Sequence, residues 1–181
     1  MFLNIITPCS RPENLHKISQ SINIPNRNFR WIVVFDLDEM PNQELIPSNC
    51  EVHLHKNPLS IFGNSQRNYA LDLVEKGHVY FNDDDTTIYP KLWHNIKNIK
   101  EDFISFSQNF LDGILRLKGE EIKLYSVDSH NFVVSINVIE STRFDITHYD
   151  ADGYFAVECY NKPCSKIFIP KVLSIYNSLV C

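Results

Sequence analysis

The chain is predicted to be a single α/β domain built on a largely parallel sheet, and three observations carry that expectation. Short apolar runs rich in β-branched and aromatic residues recur along its first half, each closed by polar or turn-forming residues. Helix-like stretches lie between them, so strand, crossover and strand alternate in the way that produces parallel pairing. Hydrophobic residues make up 44% of the chain and charged residues 22%, the balance of a protein that buries a core. A length of 181 residues suits one core better than two domains of ordinary size, so a single domain over 1–181 is expected.

Residues 2–7 form the first expected strand, with Pro8 closing it. A helix follows: Pro12 stands where a first helical turn tolerates proline, and Leu15, Ile18 and Ile22 fall at helical spacing. Residues 29–35 are a second strand ending at Asp36, and 50–55 a third, with Val52 and Leu54 on one face. Over 65–76 the residues Tyr69, Ala70, Leu73 and Val74 make an apolar stripe, a helix expected to stop at Gly77. The fourth strand, 78–81, runs straight into Asn82 and three aspartates. Beyond Pro90 a helix over 91–99 leads to strands over 103–107 and 113–125, whose direction the pattern leaves open. Residues 132–139 read as one more strand, and the remainder is mixed.

A formal charge of -5 removes the diffuse basic field that binds nucleic acid or an anionic membrane, so a phosphate-bearing ligand needs a metal or a few placed cations. No apolar run approaches the ~20 residues of a membrane-spanning helix. The apolar opening at 1–6 has no basic segment before it and is read as a strand, not a signal peptide. Cys9, Cys50, Cys159, Cys164 and Cys181 are odd in number and lack CxxC spacing, which fits reduced thiols in a cytoplasmic compartment. A homo-oligomer is compatible with all of this.

In open parallel sheets, ligands bind beyond the carboxyl ends of the strands. That rule selects Thr7 to Arg11, then Asp36-Leu37-Asp38, then Asn82-Asp83-Asp84-Asp85 as groups meeting at one rim. Three adjacent carboxylates repel one another unless a cation lies among them, and an oxygen-only donor set selects hard ions such as Mn²⁺ or Mg²⁺. The plain alternative is an acidic surface loop.

Val79-Tyr80-Phe81-Asn82-Asp83-Asp84-Asp85-Thr86 resembles the strand and DxD motif of GT-A glycosyltransferases, in particular the inverting glucuronyltransferases and related family-2-like enzymes. Ile5 to Arg11 resembles the opening strand and donor loop of that family, Trp31 to Asp36 its second strand, and Gly63-Asn64-Ser65-Gln66-Arg67-Asn68-Tyr69-Ala70-Leu71 the helix that precedes DxD. The resemblance implies a Rossmann-like, three-layer α/β/α sandwich, with residues 1–90 binding the nucleotide-sugar and 91–181 the acceptor. It implies a metal-dependent transfer, with inversion, from a nucleoside-diphosphate sugar, a UDP-sugar first, to a hydroxyl of a glycan or other acceptor. Asp85 is then the principal metal ligand. Asp83 or Asp84 meets the ribose or reaches the metal through water, and Asp83 is the second metal candidate. Asp36 accepts from the base, Thr7, Pro8 and Arg11 line the nucleotide pocket, and Arg67 lies near the diphosphate or the sugar. Read without the family, Arg67 is a solvated helix cation.

Inverting transfer needs a base on the acceptor side, late in the chain. Asp150-Ala151-Asp152-Gly153 resembles the acidic segment that supplies it, with Asp152 first, Asp150 second and Glu158 third; the plain reading is an Asp-Gly turn. His130 and His148 are candidates for a late metal ligand or an acceptor contact. Two rival chemistries use the same residues. A strand ending Asp36-Leu37-Asp38 also opens HAD-like phosphohydrolases, although Met40 stands where they carry Thr or Val. A nucleotidyltransferase needs a glycine-rich opening loop, which 7–11 lacks. A catalytically reduced sugar-nucleotide-binding domain is the non-enzymatic alternative.

Overall fold

The computed structural model describes residues 1–179; Cys181, one of the five expected thiols, lies outside them. The chain begins with β1 (Leu3–Cys9), α1 (Leu15–Ser21), β2 (Phe29–Phe35), β3 (Glu51–Leu54), α2 (Asn64–Asp72) and β4 (His78–Phe81). It continues through α3 (Leu92–Ile96), β5 (Phe103–Asn109), β6 (Leu115–Leu117), β7 (Phe132–Ser135), α4 (Ile136–Ile139), α5 (Ala151–Asn161) and β8 (Lys166–Ile175). All eight strands join one sheet in the order β3-β2-β1-β4-β7-β5-β6, with β8 also beside β5. Strands β1 to β4 and the β5–β8 pair run parallel, whereas β7 pairs antiparallel with both β4 and β5, and β6 antiparallel with β5. The sheet is therefore mixed, with a fully parallel half next to the predicted rim.

Alternation along β1 divides the core between the two faces of the sheet. Leu3 and Ile5 pack with Leu15, Ile18, Trp31, Leu92 and Ile96 on one face, and Ile6 packs with Ala70, Leu71, Phe81, Phe132 and Phe155 on the other. Helices thus cover both faces, giving three layers. Phe155 of α5 stacks on Phe144 at 4.2 Å between ring centroids and meets Phe81 edge-on at 5.5 Å, tying the late helix to the strand that carries the aspartates.

Several elements differ from the sequence expectation for identifiable reasons. β1 continues through Pro8 to Cys9, because β4 pairs with it only as far as Ile6 and the missing proline N–H falls where β1 has one strand neighbour instead of two. α2 stops at Asp72, short of Gly77: Leu73 and Val74 donate three residues back, to Ala70 and Leu71, tightening the last turn, and Arg30 Nη1 donates to the Leu73 carbonyl at 2.7 Å. The expected strand over 132–139 ends at Ser135, whose hydroxyl accepts from Asn137 N–H at 3.3 Å and caps α4. Of residues 113–125, only Leu115–Leu117 pairs as a strand. The supposed Asp-Gly turn is the first turn of α5. No helix among the described residues is long and apolar enough to cross a membrane, and the described cysteines, Cys9, Cys50, Cys159 and Cys164, are free thiols.

Candidate active site

Parallel strands leave their carboxyl ends on one edge, and here the ends of β1, β2 and β4 are stitched together there. Asp36 N–H donates to the Cys9 carbonyl at 3.2 Å, and Asn82 N–H to the Ile6 carbonyl at 2.9 Å. A cavity of about 610 Å³ opens at this edge, lined by Pro8 to Arg11, Asp36, Arg67, Asp83 to Asp85, Asp150 and Asp152. It draws residues from both the 1–90 and the 91–181 halves.

The three aspartates do three different things. Asp84 turns inward, and its Oδ2 accepts from Ser10 N–H at 2.6 Å, Arg11 N–H at 2.8 Å and the Ser10 hydroxyl at 3.1 Å. With 4% of its side chain exposed, Asp84 anchors the loop after β1 and is not free for a ligand. Asp83 lies between Arg67 and His130: Arg67 Nη2 donates to Oδ1 at 2.5 Å, and His130 Nε2 stands 3.4 Å from Oδ2. Asp85 has Oδ1 accepting from the Thr86 hydroxyl at 3.0 Å and Oδ2 accepting from Arg11 Nη2 at 3.1 Å. Replacing Asp84 by Ala leaves the Ser10 and Arg11 backbone N–H groups without their acceptor and removes one of the two carboxylates that Arg11 contacts, at an expected cost of about 3 kcal/mol. The thermal midpoint should fall by about 6–12 °C. A midpoint unchanged within 2 °C, roughly the shift of a sub-kcal/mol effect, excludes the anchoring role.

Arg67 is buried in α2, not solvated. Its Nη1 donates to the Phe62 carbonyl at 2.7 Å and to Asn64 Oδ1 at 3.1 Å, while Nε is buried with no partner among the described residues. Gly63 starts this helix at φ 75°, and a side chain there would put its Cβ 2.5 Å from Pro8 Cβ, so only glycine lets the helix start approach the loop after β1. The same helix fixes the late acidic segment. Asn68 exchanges two 2.8 Å bonds with the Phe144 backbone, and Asn64 Nδ2 donates to the carbonyls of Asp145 and His148 at 3.0 and 3.1 Å. The chain then enters α5, with Asp150 just before its first turn and Asp152 within it.

Asp152 has an environment suited to proton transfer. Burial first, then the Asp128 and Asp83 charges, raise its pKa to about 6 against the Gly153 N–H, which donates to Oδ1 at 2.8 Å, and against Arg67. Glu158 is two turns on, accepting from the Thr142 hydroxyl at 2.6 Å and absent from the cavity wall. His148 is exposed, its ring 6.2 Å from that of Tyr154, and it also stays outside the cavity.

His130 lies beneath the site. Asp83 N–H donates to Nε2 at 2.8 Å, which puts the ring proton on Nδ1, 3.1 Å from Asp128 Oδ1. Burial opposes a second proton, Asp83 and Asp128 together outweigh it and pull the ring pKa upward, and the Asp83 amide holds Nε2 as an acceptor. The ring therefore orients Asp83 and is in no position to ligate a metal or touch an acceptor. Burial pushes Asp128 up, but His130 and Arg116 outweigh it and keep its carboxylate below the usual range. Arg116 Nη1 donates to Asp128 Oδ2 at 2.7 Å, and its guanidinium stacks 3.8 Å from the Tyr176 ring centroid at the far end of the cavity. Sequence reasoning missed Arg116 and Asp128; the Asp128-Ser-His-Asn131 capping box was the one local signal for that turn.

Thr7 does not line the pocket: its side chain is buried in β1 and its hydroxyl accepts from Trp31 Nε1 at 2.9 Å. The wall begins one residue later, at Pro8. Asp36 is exposed at the end of β2 and faces the cavity, but Asp38 pairs with Lys56 at 2.5 Å outside it, so the two acids of the phosphohydrolase pattern do not converge.

No family model and no curated protein sequence matches the chain. Solved structures do match. Over 97% of this chain it is similar to S. aureus TarS 1-349 in complex with UDP-GlcNAc, at a TM-score of 0.76 and 17% identity. It is similar over the same share to the mannosyltransferase PcManGT from Pyrobaculum calidifontis in complex with GDP-Man and Mn²⁺, at a TM-score of 0.67 and 11% identity. The chain spans 58% of the length of that TarS structure and 56% of PcManGT. Strand order, layers and these superpositions agree, and the chain has a GT-A fold.

Proposed function

We propose that the chain is a metal-dependent glycosyltransferase that moves a sugar from a nucleoside-diphosphate sugar, a UDP-sugar first, to a hydroxyl of a glycan or other acceptor with inversion. The observation that carries this reading is one cavity holding the carboxylates at the end of β4 and, facing them from α5, an aspartate whose pKa is raised to about 6. UDP-GlcNAc in the TarS structure, and GDP-Man with Mn²⁺ in PcManGT, support a nucleotide-sugar in the corresponding cavity here.

The donor set fits a hard divalent ion but does not cage one. Among the described residues no three His, Cys, Asp or Glu side chains are grouped to hold a metal. Asp84 is committed to the loop after β1 and Asp83 to the buried Arg67, whereas Asp85 is held only by the Thr86 hydroxyl and the half-exposed Arg11 side chain, so Asp85 would hold the ion together with the bound diphosphate. Such an ion, Mn²⁺ or Mg²⁺, supplies charge neutralisation to the departing diphosphate. Arg67 and Arg11 add positive charge on the same side. Asp152 takes the acceptor hydroxyl proton as the oxygen bonds to the anomeric carbon, and the nucleoside diphosphate leaves with the electron pair of the broken bond. Exposed rings of Phe62, Tyr125 and Tyr149 at the cavity wall offer flat apolar faces to a glycan acceptor.

The reading is tested by thermal-shift titration with UDP, GDP and dTDP, each with and without Mn²⁺. At a hundredfold excess over Kd the fitting pair should add about 2.7 kcal/mol, a rise of roughly 5–11 °C. No rise with any nucleotide in the presence of Mn²⁺ eliminates it. Stabilisation without sugar transfer would instead mark a catalytically reduced binding domain.

A further inference from the structure

Arg11 stands in an unusual place for a residue that would bind a ligand. Its Nη2 lies 2.8 Å from Asp84 Oδ1 and 3.1 Å from Asp85 Oδ2, so its guanidinium covers the carboxylate oxygen that a divalent ion would need. The other Asp85 oxygen is engaged by Thr86. The backbone of Arg11 is fixed by its N–H bond to Asp84 Oδ2, yet its side chain is 42% exposed and lies on the cavity wall. Its anchor is rigid and its arm has room to turn.

Resting on the reading above, we propose that Arg11 is an exchangeable counter-ion, holding Asp85 while the site is empty and moving onto the diphosphate when a divalent ion takes its place. Three features support this. Guanidinium and divalent ion are drawn to the same carboxylate oxygen, and their like charges repel each other at that distance, so the arrival of one weakens the hold of the other. The cluster of three adjacent carboxylates has to be neutralised in the unloaded protein as well as the loaded one, and Arg11 contacts two of the three. A diphosphate gives the displaced guanidinium a planar, bidentate partner within reach of its stem, which bulk water does not. Metal and nucleotide then bind synergistically, each relieving the cost that the other imposes on Arg11, and the coupling is reciprocal.

The test compares wild type with R11M, R11K and K56M, following free Mn²⁺ by electron paramagnetic resonance and UDP binding by calorimetry. Lys56 pairs with Asp38 outside the cavity, so K56M removes one positive charge without touching the exchange. R11M should bind Mn²⁺ alone about tenfold more tightly than wild type, and UDP in saturating Mn²⁺ about tenfold more weakly, each a change of ~1.4 kcal/mol. R11K should fall between, K56M should match wild type, and unliganded melting confirms that each variant is folded. Equal, weaker or undetectable Mn²⁺ binding by R11M overturns the exchange. So does the same gain in K56M, which would reduce the effect to general charge. Failure of the underlying reading shows separately, as a wild type that no nucleotide stabilises with Mn²⁺.

Discussion

Asp152→Asn is expected to lower kcat roughly 10²–10⁴-fold, the range for loss of a general base, while nucleotide affinity in Mn²⁺ stays within about twofold. The base acts only as the carboxylate. With its pKa raised to about 6, the active fraction is nearly complete above pH 7 and falls tenfold per pH step well below 6. kcat/KM of the wild type should therefore show an acid limb near pH 6. An ordinary exposed aspartate would place that limb near pH 4. Asp150→Asn, just before the first turn of α5, should leave kcat within about threefold. Should Asp150→Asn abolish turnover and Asp152→Asn spare it, the base has been assigned to the wrong carboxylate.

Asp85→Ala should remove the metal-dependent nucleotide stabilisation altogether and lower transfer by about 10³-fold or more, since the leaving diphosphate loses several kcal/mol of charge stabilisation. The fold should survive, because among the described residues the Asp85 side chain hydrogen-bonds only Thr86 and the Arg11 side chain, and its carbonyl, which accepts from Leu179 N–H, is kept in the variant, whereas the Asp84 side chain holds the backbone of the loop. The pair of variants thus separates two neighbouring carboxylates: Asp84→Ala lowers the melting temperature, and Asp85→Ala leaves it nearly unchanged but blind to Mn²⁺ with UDP. A UDP response in Mn²⁺ that persists in Asp85→Ala rejects Asp85 as the ligand.

Local pattern made part of this site legible. Apolar runs ending at Asp36 and Asp83, separated by helical stretches, were enough to predict parallel strands whose ends share a rim, because crossover connections force that geometry. Arg67 was singled out by its place in Gly63 to Leu71, and it faces the cavity. The late half was less legible. Asp150 to Phe155 reads as a turn, and its helical state depends on Phe155 reaching Phe144 and Phe81 and on Asn64 and Asn68 holding the preceding segment. None of those contacts is local. Thr7 was placed on the pocket wall by the family resemblance and by its position at the expected strand end, but the strand continues past Pro8 and the Thr7 hydroxyl turns to Trp31.

By itself, the sequence determined that a carboxylate cluster follows a buried strand on an α/β sheet, since alternation, turn residues and adjacent acids are properties of neighbouring positions. Only the tertiary structure decided which carboxylate serves as anchor, which is gripped by Arg67 above His130, and which meets Arg11 and Thr86. Those roles are set by Ser10, Arg11, Arg67 and His130, which lie 16 to 74 positions away in the chain. Side-chain charge is encoded residue by residue, but its availability depends on the donors that packing brings within hydrogen-bond distance.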